Sequence, residues 1–100
     1  MEMNITCSNE QVQVDLSGAM YVEDAAIMRE SLLRHLEKGN KNFIIKMANL
    51  TYIDSSGLGV LVGINKRAQA IAGSVVLVGT QGMVKELFEV SRLHHVFEMR

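Results

Sequence analysis

Residues 43–60 read FIIKMANLTYIDSSGLGV, and this stretch decides the fold of the chain. It opens with the apolar run Phe43-Ile44-Ile45, continued by Lys46 and Met47. The run is too short for a helix between its breakers, so we predict a buried strand. A polar turn follows, and a helical pattern of apolar residues then predicts a helix from Ser56 to about Ile71, with Gly73 as its cap.

The segments before this stretch predict a hairpin and a helix. Polar and apolar residues alternate over residues 11–17 and also at Met3, Ile5 and Cys7, which is typical of half-buried strands. Ser8-Asn9-Glu10 can form the turn between them. From Val22 to Lys38 the apolar residues instead form one helical stripe, and Gly39 is well placed to end that helix in a left-handed conformation.

The segments after this stretch continue the alternation of strand and helix. Val75 to Val78 predicts a strand, Gly82 to Ser91 a third helix, and Val96-Phe97 a last short strand. Strands that alternate with helices form parallel pairs through right-handed crossovers. We therefore predict a single α/β domain over residues 1–100, with a mixed sheet that begins as an antiparallel hairpin and continues in parallel strands.

Charge and composition exclude several classes of partner. Ten basic residues nearly balance 11 acidic ones, and the longest basic cluster is Lys66-Arg67. Nucleic acid binding needs clustered cations, so we expect no nucleic acid partner. There is no secretory signal and no apolar run long enough for a bilayer, so we expect no membrane association. The single Cys7 fits a reducing compartment, and we expect a cytoplasmic protein.

The turn before the second helix is the candidate functional segment. Asp54 and Ser55 are both good N-cap residues, and the free amides and dipole of a helix start favour an anion. Capping alone would explain Asp54-Ser55-Ser56. However, Gly57 and Gly59 each cost up to about 1 kcal/mol of helix propensity relative to alanine. We therefore expect both glycines to leave the first turn uncovered for a phosphate or a partner surface.

Catalysis is not expected from these residues. A phosphate-binding P-loop requires a lysine directly after its second glycine, and none follows Gly59 at that place. A nucleophile elbow requires glycine where Ile53 stands. The three histidines, His35, His94 and His95, are expected on the surface without metal-ligand spacing. We therefore predict no enzymatic activity, no metal site and no cofactor.

The segment from Ile53 to Val60 resembles the signature of the STAS domain family, and in particular of bacterial anti-sigma factor antagonists. Asp54-Ser55-Ser56-Gly57-Leu58-Gly59 matches their Asp-Ser-Ser/Thr-Gly-Leu-Gly motif position by position. Weaker similarity covers nearly the whole chain and includes Gly18, the Ala-Gly pair before the fourth strand, and the segment from Val84 to Leu93. The resemblance implies the STAS fold and a regulatory binding function.

The resemblance also implies a phosphorylation site and three partner activities. Ser55 corresponds to the phosphoacceptor, and Ser56 is the less favoured neighbour. An anti-sigma factor with serine kinase activity would phosphorylate the chain using ATP and magnesium. The unmodified chain would bind that protein and free the sigma factor, and a metal-dependent serine phosphatase would restore the unmodified form. We expect a monomer or a weak dimer. A STAS scaffold or ligand-sensing module without phosphorylation remains the alternative.

One segment departs from the family pattern. Antagonists often carry Gly-Glu-Leu/Ile-Asp where this chain has Gly18-Ala19-Met20-Tyr21, so both acidic residues are missing. In the family this loop lies near the phosphorylation site and contributes to partner contact. The expected partner-binding surface comprises Met20, Tyr21, Asp54, Ser55, Ser56, Gly57, Leu58 and Gly59. Tyr21 is expected either as an aromatic anchor or as packing over the first helix.

Overall fold

The sheet and helices follow the predicted order in a computed structural model that describes all residues from Met1 to Arg100. The elements are β1 (Glu2–Ser8), β2 (Gln11–Met20), α1 (Val22–Glu37), β3 (Asn42–Ile53), α2 (Ser55–Ala70), β4 (Ser74–Val78), α3 (Gly82–Val90) and β5 (Glu98–Met99). The sheet order is β1-β2-β3-β4-β5. β1 is antiparallel to β2 and every other pair is parallel, which confirms the predicted mixed α/β sheet.

A two-residue turn closes the N-terminal hairpin. Asn9 and Glu10 have φ values of 51° and 64°, so both central residues are left-handed. Such turns match the right-handed twist of the flanking strands. β1 and β2 accordingly pair without interruption from Ser8 opposite Gln11 to Glu2 opposite Ser17.

One face of the sheet carries the core. The three crossovers all run in the same direction across the sheet, and right-handed crossovers then place α1, α2 and α3 on one face. Buried residues of β2 and β3, such as Val14 and Ile45, point to that face, whereas Gln13, Asp15 and Lys46 alternate with them on the opposite face. None of the helices is both long enough and apolar enough to cross a bilayer.

Two irregularities in β3 keep the side chains at its end on the helix-covered face. The pairing with β2 shifts twice over residues 15–19 of β2, each time because β3 has one extra residue. Buried residues of β3 are therefore two apart up to Met47 but three apart at Leu50 and Ile53. The extra residues keep these side chains in the core, as β-bulges commonly do. They also extend β3 to Ile53, well beyond the predicted run.

The helix ends agree with prediction in α1 and differ in α2. Gly39 has φ 94° and follows α1 as predicted, with its amide 2.9 Å from the Leu36 carbonyl. After α2, however, Ala72 takes the left-handed position with φ 62°, and Gly73 follows it. A Cβ at Gly73 would overlap the backbone of Lys41. Gly73 is therefore required because the backbone passes close to Lys41, just before β3, and not because it forms a left-handed helix cap.

The prediction of a strand at Val96-Phe97 is wrong. Arg92 has φ 59° and begins a turn of 3-10 helix over Leu93–His95, so the last strand starts only at Glu98. Phe97 is instead a core residue, 6% exposed, with its ring centroid 5.9 Å from that of Phe88. The apolar pair was a sign of core packing rather than of strand pairing.

Candidate functional site

The candidate site lies where two parallel strands end side by side. The last pair between β2 and β3 joins Met20 to Ile53. The next residues, Tyr21 and Asp54, are the N-caps of α1 and α2. Two helix N-termini therefore meet at the carboxyl edge of the sheet, which is the edge at which open α/β sheets commonly bind their ligands.

Asp54 organises the start of α2. Its Oδ1 accepts a hydrogen bond from the Gly57 amide at 3.2 Å, and its carbonyl accepts the first helical bond from Leu58 at 3.1 Å. The helix therefore begins at Ser55, one residue earlier than predicted. The helix offers no acceptor to the amides of Ser55 and Ser56, which remain free for other partners.

Ser55 is exposed in the first turn of α2, and Ser56 is half-buried beside it. The only charged group in this turn is the Asp54 carboxylate at the N-cap. The helix has no lysine or arginine before Lys66, about 16 Å along its axis from Ser55 at ~1.5 Å per residue. The first turn of α1 contributes two more acidic residues, Glu23 and Asp24. The N-terminal ammonium of Met1 lies 3.9 Å from Asp24 Oδ1 and is paired with that carboxylate. An anion at Ser55 would therefore have backbone amides nearby but no lysine or arginine in either first turn.

The two glycines of the motif have different surroundings. Gly57 is buried, and a Cβ there would lie 2.6 Å from Cγ1 of Ile53 and 2.7 Å from Sδ of Met20. Gly59 is exposed, and a Cβ there would have no neighbour within 4 Å. The expectation that both glycines uncover the first turn is therefore correct only for Gly59. Gly57 is required because α2 packs directly against the ends of β2 and β3.

Met20 also differs from its expected place in the partner-binding surface. Its side chain is fully buried and packs directly against Gly57, so it cannot contact a partner directly. Leu58 is half-buried and packs against the core. Tyr21 is 55% exposed, and its ring centroid lies 5.3 Å from that of Tyr52.

Sequence reasoning did not single out Tyr52 or Asp24. Tyr52 belongs to β3 beyond its second irregularity, so simple alternation gives no signal for its position. Asp24 accepts a hydrogen bond from the Tyr21 amide at 2.9 Å, as the acidic residue of a capping box does. The available signal was an acidic residue, Asp24, three positions after Tyr21. A carboxylate therefore lies beside the loop, although not at the positions that the family pattern uses.

Two of the three histidine rings bond to backbone carbonyls close to them in sequence. The ring of His35 is half-buried, with Nδ1 2.8 Å from the carbonyl oxygen of Ser31 in the same helix. His94 is also half-buried, with Nδ1 3.3 Å from the Phe88 carbonyl, and only His95 is exposed as expected. These contacts indicate that the His35 and His94 rings stabilise the backbone around them.

Comparisons with known proteins agree with this geometry. The family model for the STAS domain matches residues 2–100. The chain is 27% identical over 99 residues to the anti-sigma-B factor antagonist of Bacillus subtilis (strain 168), covering 99% of this chain and 90% of that protein. The solved structure of the anti-sigma factor antagonist SpoIIAA in its unphosphorylated form has a TM-score of 0.83, 20% identity and coverage of 99% of this chain and 87% of that chain. The Bacillus cell fate determinant SpoIIAA in the phosphorylated form has a TM-score of 0.82, 21% identity and coverage of 99% and 91%. This chain belongs to the STAS domain family.

Proposed function

We propose that this chain is an anti-sigma factor antagonist controlled by phosphorylation of Ser55. Its unmodified form binds an anti-sigma factor with serine kinase activity and frees the sigma factor, and the phosphate weakens that binding. The observation that carries the proposal is the exposure of Ser55 at the start of α2, beside amides that the helix leaves unbonded. Similarity to the B. subtilis antagonist supports the same role.

The charge of a phosphate explains how the switch works without refolding. Phosphorylation adds about −1.5 to −2 charges at pH 7. The helix N-terminus stabilises an exposed anion by only about 0.3–1 kcal/mol. Burying a dianion under a partner that supplies no cation costs several kcal/mol, and the neighbouring Asp54 adds repulsion. Because neither first turn offers a lysine or arginine, the new charge would act mainly against the docked partner.

The proposed binding surface, called the Ser55 surface below, comprises Tyr21, Tyr52, Ser55, Ser56 and Gly59. The small residues of α2 allow a partner backbone to approach the helix closely, since nothing occupies the space above Gly59. The two tyrosine rings lie against each other, so little side-chain freedom is lost when they are covered. Exposed aromatic residues of this kind are common anchors in protein interfaces.

Phosphorylation can be tested with an anti-sigma factor that has serine kinase activity. Incubation with ATP and magnesium should add one phosphate, which peptide mass spectrometry should locate on Ser55. Ser55→Ala should abolish the modification, whereas the matched control Ser56→Ala should retain it. A metal-dependent serine phosphatase should then remove the phosphate. Phosphate that persists in Ser55→Ala, or is lost only in Ser56→Ala, would contradict the assignment.

The segment over residues 18–21, which is the end of β2 and the N-cap of α1, favours a second candidate function. It carries no carboxylate, whereas the family loop has two near the phosphorylation site. A kinase that depends on those acids would not recognise this chain, which would then serve as a STAS scaffold or ligand-sensing module. Stable binding to a neighbouring STAS or kinase protein with no transfer of phosphate to Ser55 would support this candidate.

A further inference from the structure

The two edges of the sheet are protected to different extents. β5 is only two residues long, and Glu98 and Arg100 form an ion pair beside it. β1 has seven residues, Glu2–Ser8, without proline, lysine, arginine or bulge, and it pairs with β2 in unbroken register. Short length, charged side chains, proline and bulges are the usual devices that stop an edge strand from pairing with another chain. β1 has none of them beyond the single charge of Glu2 at its first residue.

The hairpin turn determines which backbone groups of β1 face outward. A two-residue turn makes its flanking residues, Ser8 and Gln11, a hydrogen-bonded pair. Hydrogen-bonded and non-hydrogen-bonded pairs alternate along an antiparallel ladder. The amides and carbonyls of Met3, Ile5 and Cys7 therefore point away from β2, toward the open edge.

We propose that β1 pairs with β1 of a second copy of this chain, antiparallel and centred on Ile5. In this register Ile5 lies opposite Ile5 of the second copy, and Met3 lies opposite Cys7. All outward amides and carbonyls of both strands then form hydrogen bonds at once. The two sheets join into one continuous sheet across a two-fold axis, as an isologous interface requires.

The side chains fit this register. Glu2 is the only charged residue of the strand, and it lies opposite Ser8, so no like charges meet. Met3 and Ile5 are half-buried on the helix-covered face, beside Leu16 and Val14, and the second copy would extend that apolar row. Self-complementary hydrogen bonds, charges and apolar side chains together favour a second copy over an unrelated strand.

The proposed dimer leaves Ser55 uncovered. β1 is separated from β3 by β2, a distance of about 10 Å across the sheet. Both copies would therefore keep Ser55 exposed. One seven-residue strand buries less than the roughly 1,200 Å² of a stable interface, so the dimer is weak and forms at high concentration.

Sedimentation velocity of the chain tests the proposal with two charge variants. In the proposed register, the exposed residues Asn4 and Thr6 of the two copies lie opposite each other across the axis. Asn4→Lys with Thr6→Lys places lysine against lysine twice, whereas the matched variant Asn4→Lys with Thr6→Glu places lysine against glutamate twice. We expect the unmodified sequence to dimerise below about 1 mM. We expect the two-lysine variant to have a dimer Kd at least about tenfold weaker than that of the lysine–glutamate variant.

Circular dichroism should show that both variants are folded. A chain that stays monomeric at the highest concentration would overturn the proposal. So would a dimer whose affinity is the same in both variants, since that dimer would use another surface.

Discussion

Gly57→Ala tests how the first turn of α2 is held against the sheet. The added methyl group would lie 2.6 Å from Cγ1 of Ile53 and 2.7 Å from Sδ of Met20. Both neighbours are in the core, with at most 1% of their surface exposed. They can make room only by leaving their packed positions or by pushing α2 away from the strand ends.

The expected loss of stability follows from two opposing effects. Overpacking a core by a methyl group typically costs about 1–3 kcal/mol. Alanine regains up to about 1 kcal/mol of helix propensity, and less near a helix end than in its interior. Met20 is flexible and can relieve part of the overlap, but the Cγ1 of Ile53 lies close to its own backbone and cannot move far. We therefore expect a net loss of about 1–2 kcal/mol in the free energy of unfolding.

Urea denaturation followed by circular dichroism measures this loss, with Gly59→Ala as the matched control. A Cβ at Gly59 meets no atom within 4 Å, so that variant should be more stable by up to about 1 kcal/mol. The two substitutions are the same in kind and two residues apart in one helix. The difference between them therefore isolates the contact with Ile53 and Met20. A Gly57→Ala protein as stable as Gly59→Ala would refute the packing argument.

Three further substitutions test neighbouring features of the fold and site. Asp54→Ala should lower the free energy of unfolding by about 1 kcal/mol in urea titrations, because it removes the acceptor for the Gly57 amide; no loss would dismiss the cap. Ala72→Gly should raise it by about 0.5–1 kcal/mol, since Ala72 has φ 62°; a decrease would contradict strain there. Tyr21→Ser should leave stability within about 1 kcal/mol but weaken kinase binding about tenfold in calorimetry, and unchanged affinity would exclude Tyr21 as an anchor.

Hydrophobic periodicity predicted most of the fold because each regular element repeats the same contact along its length. The hairpin alternates cleanly from Met3 to Leu16, and α1 repeats one stripe from Ala25 to Leu32. β3 is longer than predicted because its two extra residues change the spacing of buried positions from two to three. In the sequence, this loss of simple alternation resembles the end of a strand, although the pairing of β3 with β2 continues.

The candidate site was located from sequence, but the roles of its residues depend on contacts distant in the chain. The motif residues from Asp54 to Gly59 are contiguous, so their place at a helix start was predictable. The need for glycine at position 57 comes partly from Met20, which is the last residue of a different strand, β2. Tyr52 reaches Tyr21 only because the irregularities of β3 align the two strand ends. No local pattern carries that information.

The phosphate charge is central to the proposed function, and isothermal titration calorimetry can measure its effect directly. The unmodified chain and the chain phosphorylated at Ser55 should each be titrated into the serine-kinase anti-sigma factor. Several kcal/mol of uncompensated desolvation predict that the phosphorylated chain binds at least about a hundredfold more weakly. Equal affinity of the two folded forms would contradict the account.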